Sequence, residues 1–346
     1  MPAPFHLQLT ADFFGADGRT KYDDIGLAVL AAAPHIRPVP FPRHEPEIAP
    51  DQLATANGVI VLTPKVTAQS LAQAPDLLAV GRFGVGYDSV DVPACTAADV
   101  AVFITAGAVD RSVAEATVGW MIALAHRVRA KDQLVRTGGW DQRSQYMGSE
   151  LRDRTLGLIG LGGIARTVLQ LLAPWGMRPA LAYDPYLDDA AAAQAGARLV
   201  SLEELLRSSD FVSIHCPLTE QTRGLLGAPQ LAQMRPTAYL LNTARGGIVD
   251  EAALYAALQA GRLAGAALDC FAQEPVRTPP PLAALENVLF APHCIAWTHE
   301  LFRDIGRAAC QGMVDLSLGR QPRGVVNPAV FAKPSFQEKW RRVCRF

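Results

Sequence analysis

The sequence lacks the long apolar runs and the charge excess that mark several large classes of protein. No apolar run approaches the roughly 18 to 20 residues of a membrane span, and the opening MPAPFHLQLTADFF lacks the basic start and uninterrupted apolar core of a secretion signal. The formal net charge of -1 gives no electrostatic reason to expect nucleic acid or an acidic membrane as a partner. We therefore expect a cytoplasmic protein that binds neither.

Paired cysteines are also absent, because the six cysteines are scattered and form neither a CxxC pair nor the spacing of zinc ligands. Free buried thiols are expected, with no disulfide and no metal site. The six positions are Cys95, Cys216, Cys270, Cys294, Cys310 and Cys344.

What the chain does have is length and apolar residues. Its 346 residues, half of them apolar, predict about two domains with sizeable cores. Up to about residue 105, short apolar strands such as Gly58 to Leu62 alternate with helical stretches such as Ile25 to Ala33 and Thr67 to Gln73. Five prolines between Ile36 and Pro50 favour a surface loop with a short extended segment. This part predicts an α/β domain with its own parallel sheet.

Residues 155–184, TLGLIGLGGIARTVLQLLAPWGMRPALAYD, are typical of a dinucleotide-binding unit. Gly160, Gly162 and Ala165 follow an apolar strand at the spacing that allows a tight turn, approach of backbone amides to a pyrophosphate, and close packing of helix on strand. Asp184 ends the next strand, where an acid accepts hydrogen bonds from the adenosine ribose and repels a 2′-phosphate, which favours NAD over NADP. Glycine turns of this kind also occur in proteins that bind no nucleotide.

The regions on both sides of this unit continue the α/β pattern. Before it, Ser112 to Arg129 predicts an apolar helix with Ser112 as N-cap and Glu115 as its capping partner. After it, strands alternate with helices, giving six strand candidates in one run, which favours a doubly wound sheet with ligands at the carboxyl ends of its strands. The later strand candidates are Phe211 to His215, Ala238 to Asn242, Ala264 to Asp269 and Val288 to Ala291.

Polar residues that follow these strands are the candidates for catalysis. Arg245 stands between a strand end and two glycines, where its planar fork suits a carboxylate or α-keto acid, although a structural ion pair is an equal alternative. A carboxylate, Glu274, and a histidine, His293, follow the next two strands. Three such residues after successive strands are less readily explained by chance than one alone. The residues after strand ends are Asp184, His215, Arg245, Asp269, Glu274 and His293.

Several segments together resemble the D-isomer-specific 2-hydroxyacid dehydrogenases, the family that includes phosphoglycerate dehydrogenase. They are LIGLGGIAR, HCPLTEQTRGLL, LLNTARGGIVDE, LDCFAQEP and APH, with GRFGVGYDSVD and SVAE before them, and they extend from about residue 55 to Asn327. The resemblance implies two doubly wound parallel-sheet domains, with a Rossmann NAD domain (109–298) inserted in a flavodoxin-like substrate domain (1–108 and 299–330). Residues 331–346 then form a C-terminal tail. A homodimer and an active site in the interdomain cleft are also implied.

The same resemblance assigns roles to the candidate residues. Arg245 resembles the arginine that holds the substrate carboxylate and polarises the carbonyl, His293 the acid/base, and Glu274 its partner, whose charge favours the imidazolium. The implied substrate contacts are Val85, Gly86, Arg111 and Trp297. The implied cofactor contacts are Gly160, Gly162, Gly163, Ile164, Asp184, His215, Cys216, Pro217, Thr222, Thr243, Ala244 and Asp269, the last near the nicotinamide.

Two departures from the family pattern bear on the substrate. Where many members have Asn-Ala-Pro, this chain reads Ile104, Thr105 and Ala106, so a polar contact is expected to be missing. Trp297, four residues after the histidine, resembles a tryptophan near the substrate pocket of the C-terminal binding protein corepressors. It is interpreted either as a lid over a bulky or apolar 2-oxo acid or as interdomain packing. The substrate loops carry no arginine cluster suited to a phosphate.

The leading hypothesis is an NAD-dependent oxidoreductase that interconverts a 2-hydroxy acid, of D configuration, and its 2-oxo acid. The rival is a corepressor-like protein that binds NAD(H) as a signal, and the complete set of Arg245, Glu274 and His293 favours the enzyme. A formate-dehydrogenase-like activity is disfavoured, because that branch resembles a glutamine where Glu274 stands.

Overall fold

The computed structural model describes residues 4–344, which form two parallel β-sheets with helices around them. The strands are β1 (Phe5–Leu9), β2 (Ile36–Pro40), β3 (Gly58–Val61), β4 (Ala79–Arg82), β5 (Ala101–Ile104), β6 (Leu156–Ile159), β7 (Ala180–Tyr183), β8 (Ala197–Leu199), β9 (Phe211–Ile214), β10 (Tyr239–Asn242), β11 (Gly265–Leu268) and β12 (Val288–Phe290).

The α-helices are α1 (Val92–Ala97), α2 (Asp110–Ala125), α3 (Val128–Arg136), α4 (Gly163–Leu172), α5 (Asp189–Gln194), α6 (Leu202–Ser208), α7 (Ala228–Leu231), α8 (Glu251–Gln259), α9 (His299–Ser317) and α10 (Pro334–Cys344). Short 3-10 helices lie at Ala11–Phe13, Leu27–Ala32, Pro50–Leu53, Trp140–Tyr146, Ala173–Trp175, Pro281–Ala284 and Pro328–Ala332. Within the described residues, none of the helices combines the length and apolarity needed to span a membrane.

The chain divides into two compact units, residues 1–109 with 297–346 and residues 110–296. The first unit is built on a five-stranded parallel sheet in the order β2-β1-β3-β4-β5, which is the flavodoxin-like order 2-1-3-4-5. Helix α9 packs on β3 and β4, where glycines leave room for it: a Cβ on Gly58 would lie 2.7 Å from Met313 Sδ.

The second unit is built on a seven-stranded parallel sheet in the order β12-β11-β10-β9-β6-β7-β8. Counted from β6, the order is 3-2-1-4-5-6-7, the doubly wound order of a Rossmann fold with one added strand. The sheet is covered on both faces, since its strands contribute to two separate apolar clusters. The predicted fold class is therefore confirmed.

The short extended segment expected between Ile36 and Pro50 is strand β2, at an edge of the sheet that tolerates Pro38 and Pro40, which cannot donate to a ladder. Other local predictions were wrong. The predicted helix at Thr67 to Gln73 is a series of turns. Strands β5 and β8 were not predicted.

The apolar helix predicted from Ser112 to Arg129 is two helices. Helix α2 begins at Asp110, so Ser112 lies inside its first turn and its Oγ donates to the Ala296 carbonyl at 2.6 Å instead of capping. Glu115 pairs with Arg111. The helix is interrupted at Arg127, whose φ of 56° lies in the left-handed region. When apolar residues lie on nearly every face of a helix, the hydrophobic pattern does not show at which residue the helix begins.

The C-terminal segment is helix α10, which packs within the first unit and is not a separate tail. The Trp340 indole donates to the Leu316 carbonyl at 2.8 Å, and Lys339 Nζ donates to the carbonyls of Leu77 and Ala98 at 2.8 and 3.1 Å. Burial lowers the pKa of Lys339 to about 8. Residues 345 and 346 lie outside the described part of the chain.

Asn327 links the chain after α9 to the sheet of the first unit by hydrogen bonds. Substitution of Asn327 therefore tests how much these bonds stabilise the packing. Its amide is 7% exposed, accepts from the Val102 N–H at 2.8 Å and donates to the Val100 carbonyl at 3.0 Å. Asn327→Ala leaves both backbone groups buried without a partner, so we expect the free energy of unfolding to fall by about 2 to 4 kcal/mol. Urea denaturation of the full chain measures it.

The matched control is Gln311→Ala, which removes an exposed hydrogen bond to Asp315 on α9. It should change the free energy of unfolding by less than about 0.5 kcal/mol. Equal effects of the two substitutions would show that the Asn327 hydrogen bonds do not anchor this segment.

Candidate active site and cofactor site

The turn between β6 and α4 requires glycine at its first position. Gly160 has a φ of +89°, and a Cβ there would lie 2.9 Å from the Cys216 backbone nitrogen. Both the left-handed conformation and the close approach of the chain after β9 therefore exclude a side chain. Ala165, at the third position, is fully buried between helix and sheet, where its methyl group is accommodated.

The second glycine is not required by the protein itself. Gly162 has a φ of −78°, which any residue adopts, and a Cβ there would meet no protein atom within 4 Å. The residue is exposed and stands at the N-terminus of α4, where backbone N–H groups and the helix dipole favour an anion. The open side of this turn therefore fits the pyrophosphate of a dinucleotide.

Gly163 is required for a different reason. A Cβ at Gly163 would lie 2.0 Å from Oδ2 of Asp110, so the carboxylate of Asp110 covers the first residue of α4. Burial raises the pKa of Asp110. Ile164 follows, half-buried, in the first turn of the helix.

Asp184 lies directly after β7 and beside the glycine turn. Its Oδ2 accepts from the Leu161 N–H and its Oδ1 from the Tyr186 N–H, both at 3.0 Å. An ionised carboxylate accepts about four hydrogen bonds, so each oxygen retains capacity for a ribose hydroxyl. The two backbone donors fix the carboxylate at the edge of the turn, as the fingerprint requires.

The chain after β9 is ordered by its own side chains. His215 Nε2 lies 2.9 Å from Ser213 Oγ, and burial lowers the pKa of His215 to about 4, so this imidazole is neutral at pH 7. Burial raises the pKa of the Cys216 thiol to about 11. Thr222 Oγ1 donates to the Pro217 carbonyl at 2.7 Å and closes the loop. These residues follow β9 at its carboxyl end, and their contact with the cofactor stays a prediction.

The turn that carries Arg245 is shaped by Asn242, the buried last residue of β10. Asn242 accepts from the Ala244 N–H at 3.1 Å and donates to the Arg245 carbonyl at 2.8 Å. A Cβ on Gly246 would lie 1.8 Å from the Phe271 carbonyl oxygen, so the turn presses against the chain after β11. Thr243 Oγ1 contacts Thr117 Oγ1 at 3.5 Å.

Glu274 and His293 form a hydrogen-bonded pair. His293 Nδ1 lies 2.8 Å from Glu274 Oε2, and Glu274 Oε1 accepts from the Phe271 N–H at 2.9 Å. Burial acts to raise the pKa of Glu274, but the bonds from His293 and Phe271, with the nearby charge of Arg245, outweigh it and lower that pKa. With Nδ1 engaged, Nε2 is the ring nitrogen that remains for a substrate.

Asp269 holds the turn on which His293 stands. It is buried, its Oδ1 accepts from the backbone N–H groups of Cys294 and Ile295 at 2.9 and 3.1 Å, and its carbonyl accepts from the His293 N–H at 2.8 Å. His293 has a φ of 53°, a left-handed conformation that a non-glycine residue adopts only when its surroundings impose it. Burial raises the pKa of Asp269, against the effect of the two amides.

In the first unit, the loop after β4 carries Val85 and Gly86, both half-buried. The buried hydroxyl of Thr105 accepts from the Gly84 N–H at 3.1 Å, and the Gly84 carbonyl accepts from the Thr105 N–H at 3.0 Å. Thr105, at one of the departures from the family pattern, therefore supports this loop from β5. The guanidinium of Arg82 is bound to the carbonyl oxygens of Val61 and Phe83.

Trp297 belongs to an aromatic cluster of the first unit, formed by Tyr22, Phe83, Trp297 and Phe302. The Tyr22 ring stacks on Phe302 at 3.9 Å between centroids, Trp297 stands edge-on to both, and Phe83 lies 5.8 Å from Phe302. Trp297 is nevertheless 53% exposed, so one face of the cluster is open. Arg111, also predicted to contact substrate, forms an exposed ion pair with Glu115 in the first turns of α2.

Sequence reasoning missed residues that build the site without reacting. Asn242 shapes the Arg245 turn, and Glu251, at the start of α8, accepts from the Ala272 N–H at 2.6 Å and steadies the loop that leads to Glu274. Asn242 could have been found as a polar residue at the end of an apolar strand. Glu251 carries no such signal, because an acid in the first turn of a helix is ordinary.

Comparisons with known proteins identify a family and relatives to which this chain is similar. A family model described as "D-isomer specific 2-hydroxyacid dehydrogenase, NAD binding domain" matches residues 118–294. D-3-phosphoglycerate dehydrogenase of Archaeoglobus fulgidus is 39% identical over 263 residues, which cover 76% of this chain and 50% of that protein. Glyoxylate reductase of Korarchaeum cryptofilum is 38% identical over 284 residues, covering 81% and 85% respectively.

The chain therefore spans about half the length of the first of these relatives and most of the second. Among solved structures, D-lactate dehydrogenase from Aquifex aeolicus, complexed with NAD and lactic acid, is 26% identical with a TM-score of 0.79, covering 92% of this chain and 98% of that one. The second unit is thus an NAD-binding domain, and NAD is its cofactor.

Gly162 allows the cofactor site to be tested apart from the fold. Gly162→Ala places a methyl group where the protein has no atoms, so the melting temperature should stay within about 2 °C of the parent value. The same methyl group obstructs a pyrophosphate, and we expect the Kd for NADH, measured by fluorescence titration, to rise about tenfold or more.

Gly119→Ala is the matched control, because Gly119 is an exposed glycine of α2 with no atom within 4 Å of its Cβ position. It should leave NADH binding unchanged. Unaltered NADH binding in Gly162→Ala would refute the placement of the pyrophosphate at this turn.

Proposed function

Because the chain belongs to the D-isomer-specific 2-hydroxyacid dehydrogenase family, we propose that it interconverts a D-2-hydroxy acid and the corresponding 2-oxo acid with NAD as cofactor. One observation supports this above the others. His293 and Glu274 form a bonded acid/base pair on a turn clamped by Asp269, and the charge of Arg245 is near enough to lower the pKa of Glu274. A protein that only senses NAD needs no such proton donor.

The bound cofactor supplies the hydride for reduction of the 2-oxo acid. Arg245 binds the substrate carboxylate and polarises the carbonyl, since its planar guanidinium matches a carboxylate in a two-point contact. His293 gives a proton from Nε2 to the carbonyl oxygen, or removes it from the hydroxyl in the reverse direction. Glu274 keeps the imidazole oriented through Nδ1 and favours its protonated form.

The remaining predicted contacts complete the proposal. We assign the substrate carboxylate to the backbone around Val85 and Gly86, held by Thr105, with Arg111 as a further contact. The cofactor is assigned to the glycine turn, to Asp184 at the ribose, and to the residues after β9, β10 and β11. Because Asp184 is anionic and already fixed by two amides, a 2′-phosphate would meet uncompensated negative charge there, which favours NAD over NADP.

The relatives differ in the substrates for which they are named, so the side chain of the substrate is inferred from this chain's residues. The loop after β4, residues 83–91, contains no lysine or arginine, and the guanidinium of Arg82, the last residue of β4, is engaged by backbone carbonyls. A phosphate therefore finds no cationic partner on this loop. The open aromatic face at Trp297 favours a bulky apolar 2-oxo acid instead.

A panel of 2-oxo acids tests the function. With NADH in excess, we expect oxidation with at least one of glyoxylate, hydroxypyruvate, pyruvate, 4-methyl-2-oxopentanoate and phenylpyruvate, measured by loss of absorbance of NADH. Trp297→Ala should lower kcat/KM about tenfold for the two bulky acids and much less for glyoxylate, because only a large side chain reaches the indole.

Trp175→Ala is the control for removal of an exposed tryptophan, since Trp175 is 41% exposed and lies after α4. Its kinetic constants should be unchanged. If NADH binds but no 2-oxo acid supports its oxidation, the result favours the rival hypothesis, a binding protein that senses NAD(H). A preference for glyoxylate over the bulky acids would overturn the side-chain assignment alone.

His293→Ala tests the proton donor. Loss of a positioned acid/base lowers kcat by about 10³-fold, whereas the Kd for NADH should change by less than about twofold, because His293 acts on the substrate oxygen. Stopped-flow single turnovers and NADH titration separate the two quantities. The control is His299→Ala, an exposed histidine paired with Asp23, which should retain full activity. Turnover within tenfold of the parent would exclude His293 as the donor.

A further inference from the structure

Three side chains with metal-ligand chemistry converge at the acid/base pair. Cys270, Glu274 and His293 each place one potential ligand atom so that all three atoms lie within 4.8 Å of one another. Within residues 4–344 this is the one such group of histidine, cysteine and carboxylate ligands. The sequence does not reveal it, because the spacing of 270, 274 and 293 matches no zinc motif.

The thiol is the member that proton transfer does not need. Acid/base chemistry at His293 requires the imidazole and its carboxylate partner, whereas Cys270 Sγ donates a hydrogen bond to the Ala244 carbonyl at 3.3 Å and is buried below them. A thiolate, an imidazole and a carboxylate together are ligands typical of Zn²⁺ or Cd²⁺, whereas Mg²⁺ and Ca²⁺ prefer oxygen alone.

The spacing is close to that of a tetrahedral site. Zinc bonds of about 2.0 to 2.3 Å place neighbouring ligand atoms roughly 3.4 to 3.7 Å apart. The upper limit of 4.8 Å on the separations exceeds these values by about 1 Å, an adjustment within the reach of side-chain rotation. His293 and Glu274 are 46% and 35% exposed, so a cation can enter from solvent and a water molecule can take the fourth position.

The local charge favours a cation. Glu274 is close enough to the buried Asp269 that its charge acts to raise the pKa of Asp269, and Cys270 adds a negative charge when it loses its proton. Arg245, whose charge lowers the pKa of Glu274, opposes them. Three potential negative charges against one fixed positive charge leave the group attractive to a divalent cation.

We propose that Cys270, Glu274 and His293 form a binding site for a thiophilic divalent cation, which inhibits the enzyme reversibly. The cation bonds to sulfur, nitrogen and oxygen, while the thiol proton and the proton shared by His293 and Glu274 leave to solvent. The metal-bound imidazole keeps one N–H and can no longer form the imidazolium, which is the form that gives a proton to the substrate. No electron transfer is involved, and chelation restores the protonated pair.

Cadmium is the probe, because a Cd²⁺–thiolate bond absorbs in the ultraviolet. The full-length protein without cofactor is titrated with CdCl₂, with absorbance and calorimetry as readouts. We expect one Cd²⁺ per chain with a thiolate absorption band. In Cys270→Ser the band should disappear and the Kd should rise at least about tenfold, because an alcohol is a poor ligand for a soft cation.

Cys294→Ser is the matched control, since Cys294 is adjacent to His293 in the chain and its thiol is outside the group. It should keep both the band and the Kd. Cys270→Ala provides a second variant if the serine disturbs folding, with near-ultraviolet circular dichroism to compare the folded states. A band that persists without Cys270, or the absence of a band in the parent protein, would overturn the proposal.

The inhibitory consequence rests on the proposed function and is tested separately. Zn²⁺ should inhibit NADH oxidation, EDTA should restore it, and Cys270→Ser should need at least about tenfold more Zn²⁺ while keeping metal-free activity within about twofold. If the protein oxidises NADH with no 2-oxo acid, the proposed function fails and cadmium binding still decides the site. Equal zinc sensitivity of Cys270→Ser and the parent protein contradicts the inhibitory role.

Discussion

The candidate active site depends on the hydrogen bonds that hold one backbone turn to a buried aspartate. Asp269 follows β11, and its side-chain and backbone oxygens accept three consecutive N–H groups, those of residues 293 to 295, from the chain after β12. This binding imposes the left-handed conformation of His293 and directs its imidazole to Glu274. Because β11 and β12 are parallel neighbours, their carboxyl ends meet at one edge, and a single acid there can order the next strand's loop.

The glycines in the turns after β6 and β10 do not all serve the same purpose. Gly160 and Gly246 are imposed by the protein, since a Cβ at either would strike the backbone of a neighbouring loop. A Cβ on Gly162 would meet no protein atom within 4 Å, so the fold does not require glycine there. The two glycines of the fingerprint therefore differ: Gly160 is needed for folding, whereas Gly162 leaves open space that we propose the cofactor uses.

The sequence predicted the fold class because both sheets leave strong patterns: buried parallel strands, a fingerprint turn, and polar residues after strand ends. It failed where structure is decided by distant contacts. Helix α2 begins at Asp110 rather than at a cap, and α10 is fixed by the carbonyls of Leu77, Ala98 and Leu316, which are remote in sequence or on another helix. The roles of the site residues and the homodimer stay predictions. Asn242 and Glu251 were not identified from the sequence because they act by hydrogen bonding to backbone groups of loops. Recognising such a role requires knowing which loops are in contact.

Two histidines show why position after a strand does not by itself select the catalytic residue. His215 and His293 both follow strands of the same sheet, so their position relative to a strand does not distinguish them. In the structure His215 is desolvated beside a neutral hydroxyl, and burial without a counter-charge lowers its pKa to about 4. His293 is half exposed and bonded to a carboxylate whose own pKa is lowered. An imidazole that stays neutral at pH 7 does not act as an imidazolium acid, so residue type and position after a strand do not by themselves identify an acid/base.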